Sequence, residues 1–250
     1  MAVPSTQHLL AAWERGRAVS RQDERALELL TAAHADLPHA AVAELPVGER
    51  DRRLLTLHQD LFGPRLTALA TCPECSASLE LEFDVEAFDA SLEDELATEQ
   101  ADAPFSFSHD GYDIVFRLPN SRDVLALRHG RPDDENRLRL LERVVLHASR
   151  GEQEVAAANL PAAVVGALEE RLSLVDPHGD IRLDLDCSAC RAQWQAPFDI
   201  VSFLWSAVDA WALRLLRDVH RLARAYGWRE ADILALSSPR RRCYLELLDE

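Results

Sequence analysis

The chain has 250 residues, 48% apolar and 28% charged, an ordinary soluble globular composition with room for one large or two modest cores. Its formal net charge is −16, and no arginine or lysine stands between Arg65 and Arg117, which argues against general binding to a phosphate backbone. No apolar run is long enough to span a bilayer, the first residues lack the apolar core of a signal peptide, and five cysteines in such a chain point to metal ligands or free thiols, so the cytoplasm is the expected compartment.

Residues 1–63 read as an N-terminal helical region. Ser5-Thr6 precede "QHLLAAWER", and Ser20 precedes "RQDERALELLTAAHADL", where Ala26, Leu27, Leu30 and Ala33 share one face. Pro38 and Pro46 punctuate. Gly48 leads into a stripe of Leu54, Leu55, Leu57 and Leu61, closed by Gly63-Pro64. From Leu66 to Val85 the pattern changes to the alternation of strands around Cys72 and Cys75, and residues 64–90 form a first strand–knuckle–strand unit.

Residues 91–177 read as an insertion. The acidic stretch "EAFDASLEDELATEQADAP" from Glu86, which leads into it, suits a helix or a linker; the acidic run 80–102 is a solvated face or a docking face for a basic partner. "PFSFSHDGYDIVFRLP" is a β-hairpin, with Asp110-Gly111 in its turn. Asn120 and Asp123 are spaced as a helix start, and Asp133-Asp134 suit a helix N-terminus. Helical patterns run through "DDENRLRLLERVVLHASR" and "LPAAVVGALEERLSLV", with Pro161 expected in a first turn. Residues 178–200 return to strand alternation around Cys187 and Cys190. Residues 201–250 hold the longest helical pattern, ended by Gly227, and two short helices, with Ser238 expected to cap the second and Pro239 to follow it. The expected fold is α+β and mainly α-helical, with a split four-cysteine zinc ribbon and an inserted β-hairpin.

The two cysteine pairs are copies. "CPECSASLELEFDVEAF" from Cys72 lies over "CSACRAQWQAPFDIVSF" from Cys187 without a gap, matching Cys72/Cys187, Cys75/Cys190, Ala77/Ala192, Phe83/Phe198, Asp84/Asp199 and Phe88/Phe203. One knuckle supplies two thiolates and a tetrahedral Zn²⁺ takes four, so the pair predicts one structural zinc held by Cys72, Cys75, Cys187 and Cys190. The departure from an ordinary ribbon is the spacing: 111 residues separate Cys75 from Cys187, against roughly 15–20 in a usual pair of knuckles. A thioredoxin-like redox pair would need Cys-x-x-Cys at a helix N-terminus, and here both pairs lead into strands. Four cysteines leave a metal no position for water, which speaks against a catalytic ion. The fifth, Cys243, is expected as a small core residue.

No phosphate loop, dinucleotide fingerprint, HExxH or GxSxG occurs; the nine histidines are scattered, and His109 and His178 read as loop residues and not as ligands. The residues therefore argue for a binding or assembly protein and against an enzyme. All 27 basic residues are arginine, as expected of a GC-rich bacterial coding sequence.

Four stretches, "LPVGERDRRLLTLHQDLFGPRLTALATCPEC", "FRLPNSRDVLAL", the second knuckle and "YGWREADILALSSPRRRCYLELL", together resemble the T-even-phage-type baseplate hub assembly chaperone family. That family is found in contractile phage tail and extracellular contractile injection system gene clusters. The resemblance covers about residues 45–250. It implies a cytosolic bacterial protein that helps to build, or sits in, the baseplate or hub of a phage-tail-like particle, with baseplate or hub proteins as partners and no small-molecule substrate. Its helical tail matches at Trp228, Ile233, Leu236, Tyr244 and Leu245, beside a basic cap of Arg240, Arg241 and Arg242; this hairpin either docks a partner or folds back on the core. Two other classes compete: a zinc-ribbon nucleic-acid-binding regulator, disfavoured by Glu74 in the first knuckle and a lone Arg191 in the second, and a thiol oxidoreductase.

Overall fold

The computed structural model describes residues 3–34, 37–85, 104–127 and 130–249. The acidic stretch 86–103, expected as helix or linker, lies outside them, as does Phe88. In chain order the helices α1 (Thr6–Ala18), α2 (Gln22–Ala33), α3 (His39–Glu44) and α4 (Val47–Phe62) come first. Ser5 caps α1 by accepting the His8 N–H, whereas the N-cap position of α2 is Arg21, one residue beyond the expected Ser20. Gly63, at φ +95°, closes α4 in a conformation that only glycine adopts cheaply. Strands β1 (Arg65–Thr71) and β2 (Ser78–Asp84) follow, then β3 (Phe105–His109) and β4 (Tyr112–Phe116). Asp110 and Gly111, with φ of 51° and 76°, make the positive-φ pair that a two-residue hairpin turn requires.

Helix α5 (Ser121–Ala126) starts on a complete capping box between Asn120 and Asp123. Helix α6 (Asp133–Val144) is shorter than expected, because Val145–Arg150 is strand β5, not helix. The cause is tertiary. β5 pairs with β4, setting Ala148 opposite Ile114 and burying both, and the free edge of the hairpin outweighs a helical pattern. With β6 (Gln153–Glu154) the expected hairpin becomes a four-stranded sheet in the order β3-β4-β5-β6. Pro161 takes the N-cap position of α7 (Ala162–Val175), one residue before the expected first turn. Strands β7 (Arg182–Asp186) and β8 (Gln193–Pro197) precede the long helix α8 (Ile200–Tyr226), which ends at Gly227 at φ +67°. Two short helices follow, α9 (Glu230–Ala235) and α10 (Ser238–Glu246). The cap of α10 is Ser237, which accepts the Arg240 N–H; Ser238, the expected cap, is already helical. Among the described residues no helix is long and apolar enough to cross a membrane.

The chain divides into two compact units, one of residues 1–36 with 201–250 and one of residues 37–200. In the first, the α1–α2 hairpin packs on α8. The Trp13 indole N–H donates to Asp209 at 2.8 Å, the Arg25 guanidinium lies over the Trp205 ring, and Gly16 leaves room for that ring, which an added Cβ would meet at 2.4 Å. Further along α8, Leu215, Val219 and Leu222 bury Ile233 of α9. The second unit has its core between sheet and α7, where Ile114, Phe116, Leu141, Ala148, Val164 and Leu168 are buried. Beside it Asp123, fully buried, accepts from Arg117 at 2.6 and 2.9 Å and from Arg143 at 2.7 Å. His178 is buried in a short 3₁₀ turn, Pro177–Asp180, and not in an open loop.

Candidate metal centre

Each cysteine pair sits at the tip of its own hairpin. β1 pairs with β2 from Arg65↔Asp84 to Thr71↔Ser78, and β7 with β8 from Arg182↔Pro197 to Asp186↔Gln193. These are two separate two-stranded sheets, so the strands pair within each copy and not between copies. The repeat persists at the level of single hydrogen bonds. The Cys72 N–H donates to Ala77 O and the Cys187 N–H to Ala192 O, both at 2.9 Å. Ser76 N–H and Arg191 N–H turn back to Cys72 O and Cys187 O at 3.0 and 2.8 Å. This tight turn forces Ser76 and Arg191 to φ of 59° and 64°. Neither residue is glycine, so composition carried no cue to the left-handed position, which the structure shows at equivalent places in the two copies.

The turns bring all four Sγ atoms within 4.8 Å of one another, Cys72 and Cys187 buried, Cys75 and Cys190 exposed. The short contacts run across the copies: Cys72–Cys190 at 3.7 Å and Cys75–Cys187 at 3.6 Å. Exchanging the two knuckles turns each of these pairs into the other, the signature of a local pseudo-twofold. Phe83 and Phe198, also equivalent, meet edge to face with centroids 5.3 Å apart. A tetrahedron with metal–sulfur bonds of about 2.3 Å has sulfur–sulfur edges of ~3.8 Å, so the two cross pairs already stand at that separation.

Backbone amides favour thiolate at one sulfur. The N–H of Cys190, with that of Ala189, draws the Cys187 thiol down to about 6, against burial. At Cys190 the Ala192 N–H pulls the same way, but the neighbouring thiols of Cys75 and Cys187, together with burial, push it up to about 12. At Cys75 the Ala77 N–H likewise loses to the Cys187 and Cys72 thiols and to burial, and the pKa rises. One anion forms readily and the next is resisted by its neighbours; a bound cation removes that resistance. Both pairs sit on hairpins, not at a helix N-terminus, which is the arrangement expected of a metal knuckle and not of a thioredoxin-type pair.

The tail residues belong to the other compact unit. Ile233 is fully buried on the α8 seam, and Trp228, Tyr244 and Leu245 pack against the same seam while half-buried, as is Leu236. Tyr226, Trp228 and Tyr244 form an aromatic trio with centroid distances of 4.7, 4.9 and 5.9 Å. Of the basic cap, Arg240 and Arg242 are exposed, whereas Arg241 is buried and donates to Leu236 O at 2.6 Å. Cys243, expected in the core, is exposed, because α10 turns Tyr244 and Leu245 toward the seam.

Sequence reasoning did not find the Arg117–Asp123–Arg143 knot or the contact of Asp176 with Gly48. Asp123 was legible only as a capping residue; its second role needs an arginine 20 residues away.

A family model described as T4 bacteriophage base plate protein matches residues 5–205. No curated protein and no solved structure matches.

Proposed function

The chain belongs to the T4 bacteriophage base plate protein family, and on that premise we propose that it is a non-enzymatic assembly factor or structural component of the baseplate or hub of a phage-tail-like contractile particle. Cys72, Cys75, Cys187 and Cys190 hold one structural Zn²⁺ in this reading. The match over residues 5–205 carries the functional part. The sulfur spacing, near the edge of a zinc–thiolate tetrahedron, supports the metal. Zinc held by four thiolates has no site for water, so it supplies a cross-link and no Lewis-acid chemistry. It ties two hairpins that lie far apart in sequence, steadying the sheet and helices inserted between them. Partner contacts then fall on what the knuckles hold and on the exposed parts of the tail: Arg240, Arg242 and the open edges of Trp228, Tyr244, Leu236 and Leu245.

The experiment is co-expression of the chain with each baseplate and hub protein encoded beside its gene, followed by affinity capture, with metal content measured on the same preparation. Capture of one of those proteins with one zinc per chain is expected. Capture of none, from a folded preparation, sinks the baseplate role. Metal-free protein with dithiol-dependent turnover sinks the structural zinc.

A further inference from the structure

Helix α8 carries a feature that neither the metal nor the tail accounts for. Arg214, Arg217, Arg221 and Arg224 recur at intervals of three and four, so they lie on one face, and all four are exposed. The opposite face buries Leu215, Val219 and Leu222. Arg221 is held by Asp249, but Arg214, Arg217 and Arg224 have no ion-pair partner among the described residues. Elsewhere most arginines are satisfied: Arg15 by Glu28, Arg65 by Glu82, Arg137 by Glu169, Arg143 by Asp123. Three guanidinium groups without an ion-pair partner among the described residues, with the paired Arg221 between them, form a basic stripe on a chain of net charge −16.

The complementary surface is on the chain itself. The outer face of β2 presents Glu80, Glu82 and Asp84, all exposed, of which only Glu82 has an ion-pair partner among the described residues, Arg65. The outer face of β7 presents Asp184 and Asp186, bonded among the described residues to the neutral amides of Gln195 and Gln193. The dimensions agree. From Arg214 to Arg224 the helix rises about 15 Å at ~1.5 Å per residue. From Glu80 to Asp84 the strand runs about 14 Å at ~3.4 Å per residue.

We propose that the arginine face of α8 docks on the acidic outer face of the β1–β2 hairpin of a second copy of this chain. The two surfaces differ, so the contact is heterologous and head-to-tail, and a chain of copies either closes into a ring or extends. A nucleic acid is the disfavoured occupant, since the acidic excess of the molecule repels a phosphate backbone. The contact does not require the metal reading, and a self-associating chain that never holds zinc would fault that reading alone.

The test is sedimentation velocity of the full-length chain over a range of concentrations at low ionic strength. Self-association is expected, and it should weaken tenfold or more in about 1 M salt, where the screening length falls to ~3 Å. Arg217→Glu with Arg224→Glu should do the same, and so should Glu80→Arg with Asp84→Arg, while both double variants keep the wild-type melting temperature. Mixed together, the two variants should associate again, because each supplies the charge the other now needs. A monomer at every concentration, association indifferent to salt, or a mixture that stays monomeric overturns the proposal. So does a monomer whose salt-sensitive binding to a DNA duplex is lost in Arg217→Glu/Arg224→Glu. The salt dependence of the wild-type chain decides the matter even if a variant fails to fold.

Discussion

Asp176→Asn should stabilise this protein at neutral pH. The Asp176 carboxylate accepts the Gly48 N–H at 3.0 Å at the start of α4. Burial pushes its pKa up from 3.8 to about 6; Asp51 and Glu49 add to the rise, against the Gly48 N–H and Arg50. Between pH about 4 and about 6 the folded chain therefore keeps a proton that the unfolded chain has released. Stability falls as pH rises through that window and stays lower above it. At about 1.4 kcal/mol per pH unit, a shift of roughly two units amounts to about 3 kcal/mol of stability lost by pH 7. Asparagine keeps an oxygen for the Gly48 N–H and cannot ionise. Urea unfolding followed by circular dichroism, at pH steps from 4 to 8, should show the two proteins equal near pH 4 and the variant ahead by about 2–3 kcal/mol at pH 7. Parallel curves, or a gap that widens on acidification, would refute the reasoning, because either result means that the buried carboxyl ionises as easily as a free one.

Gly48→Ala should cost about 2 kcal/mol, since its Cβ would lie 1.8 Å from Asp176 Oδ1 and 2.9 Å from the Gly179 backbone nitrogen, so the carboxylate must give up the Gly48 N–H and the backbone must shift. Thermal melts against wild type check this. Cys187→Ser should abolish stoichiometric zinc, measured by elemental analysis. By the chain-entropy argument for a staple closing a loop of 111 residues it should also remove about 5 kcal/mol. Wild-type zinc content in that variant would mean that the ligand set is wrong. Asp123→Ala should cost about 2–3 kcal/mol in urea unfolding, because it removes the buried acceptor shared by Arg117, Arg143 and the Asn120 N–H, while both guanidinium groups keep access to solvent. Burial raises the Asp123 pKa, but hydrogen bonds from Arg117, the Asn120 N–H and Arg143 outweigh it and hold it low. Its stabilisation is thus present above the ordinary carboxylate range and fades as the pH falls through the folded pKa, so the wild-type advantage over Asp123→Ala should shrink in acid.

The elements that were legible in advance are those written in a few adjacent residues. The Asp110-Gly111 turn, the Asn120/Asp123 capping box, and the stops at Gly63 and Gly227 need only a φ sign or a side chain within reach of its own backbone. The errors of one residue at Arg21, Pro161 and Ser237 have the same root, because neighbouring positions can each serve as a cap and local packing chooses. The larger difference, a strand β5 where the pattern is helical, arises where a strand partner 29 to 38 residues upstream in the chain decides the outcome. Cys243 went to the surface because helical period places it beside core residues without saying which side of α10 faces α8.

By itself the sequence determined that the chain carries two copies of one knuckle, and with them the four cysteines that can share an ion, because a repeat is visible wherever its copies lie. Only the tertiary structure decided how the copies meet: Cys72 against Cys190, Cys75 against Cys187, and Phe83 against Phe198. It also set Gly48 against Asp176 and joined residues 1–36 to 201–250 in one unit. Those contacts span more than a hundred residues of chain. Packing and charge select such partners after the local elements exist, and no local period records them.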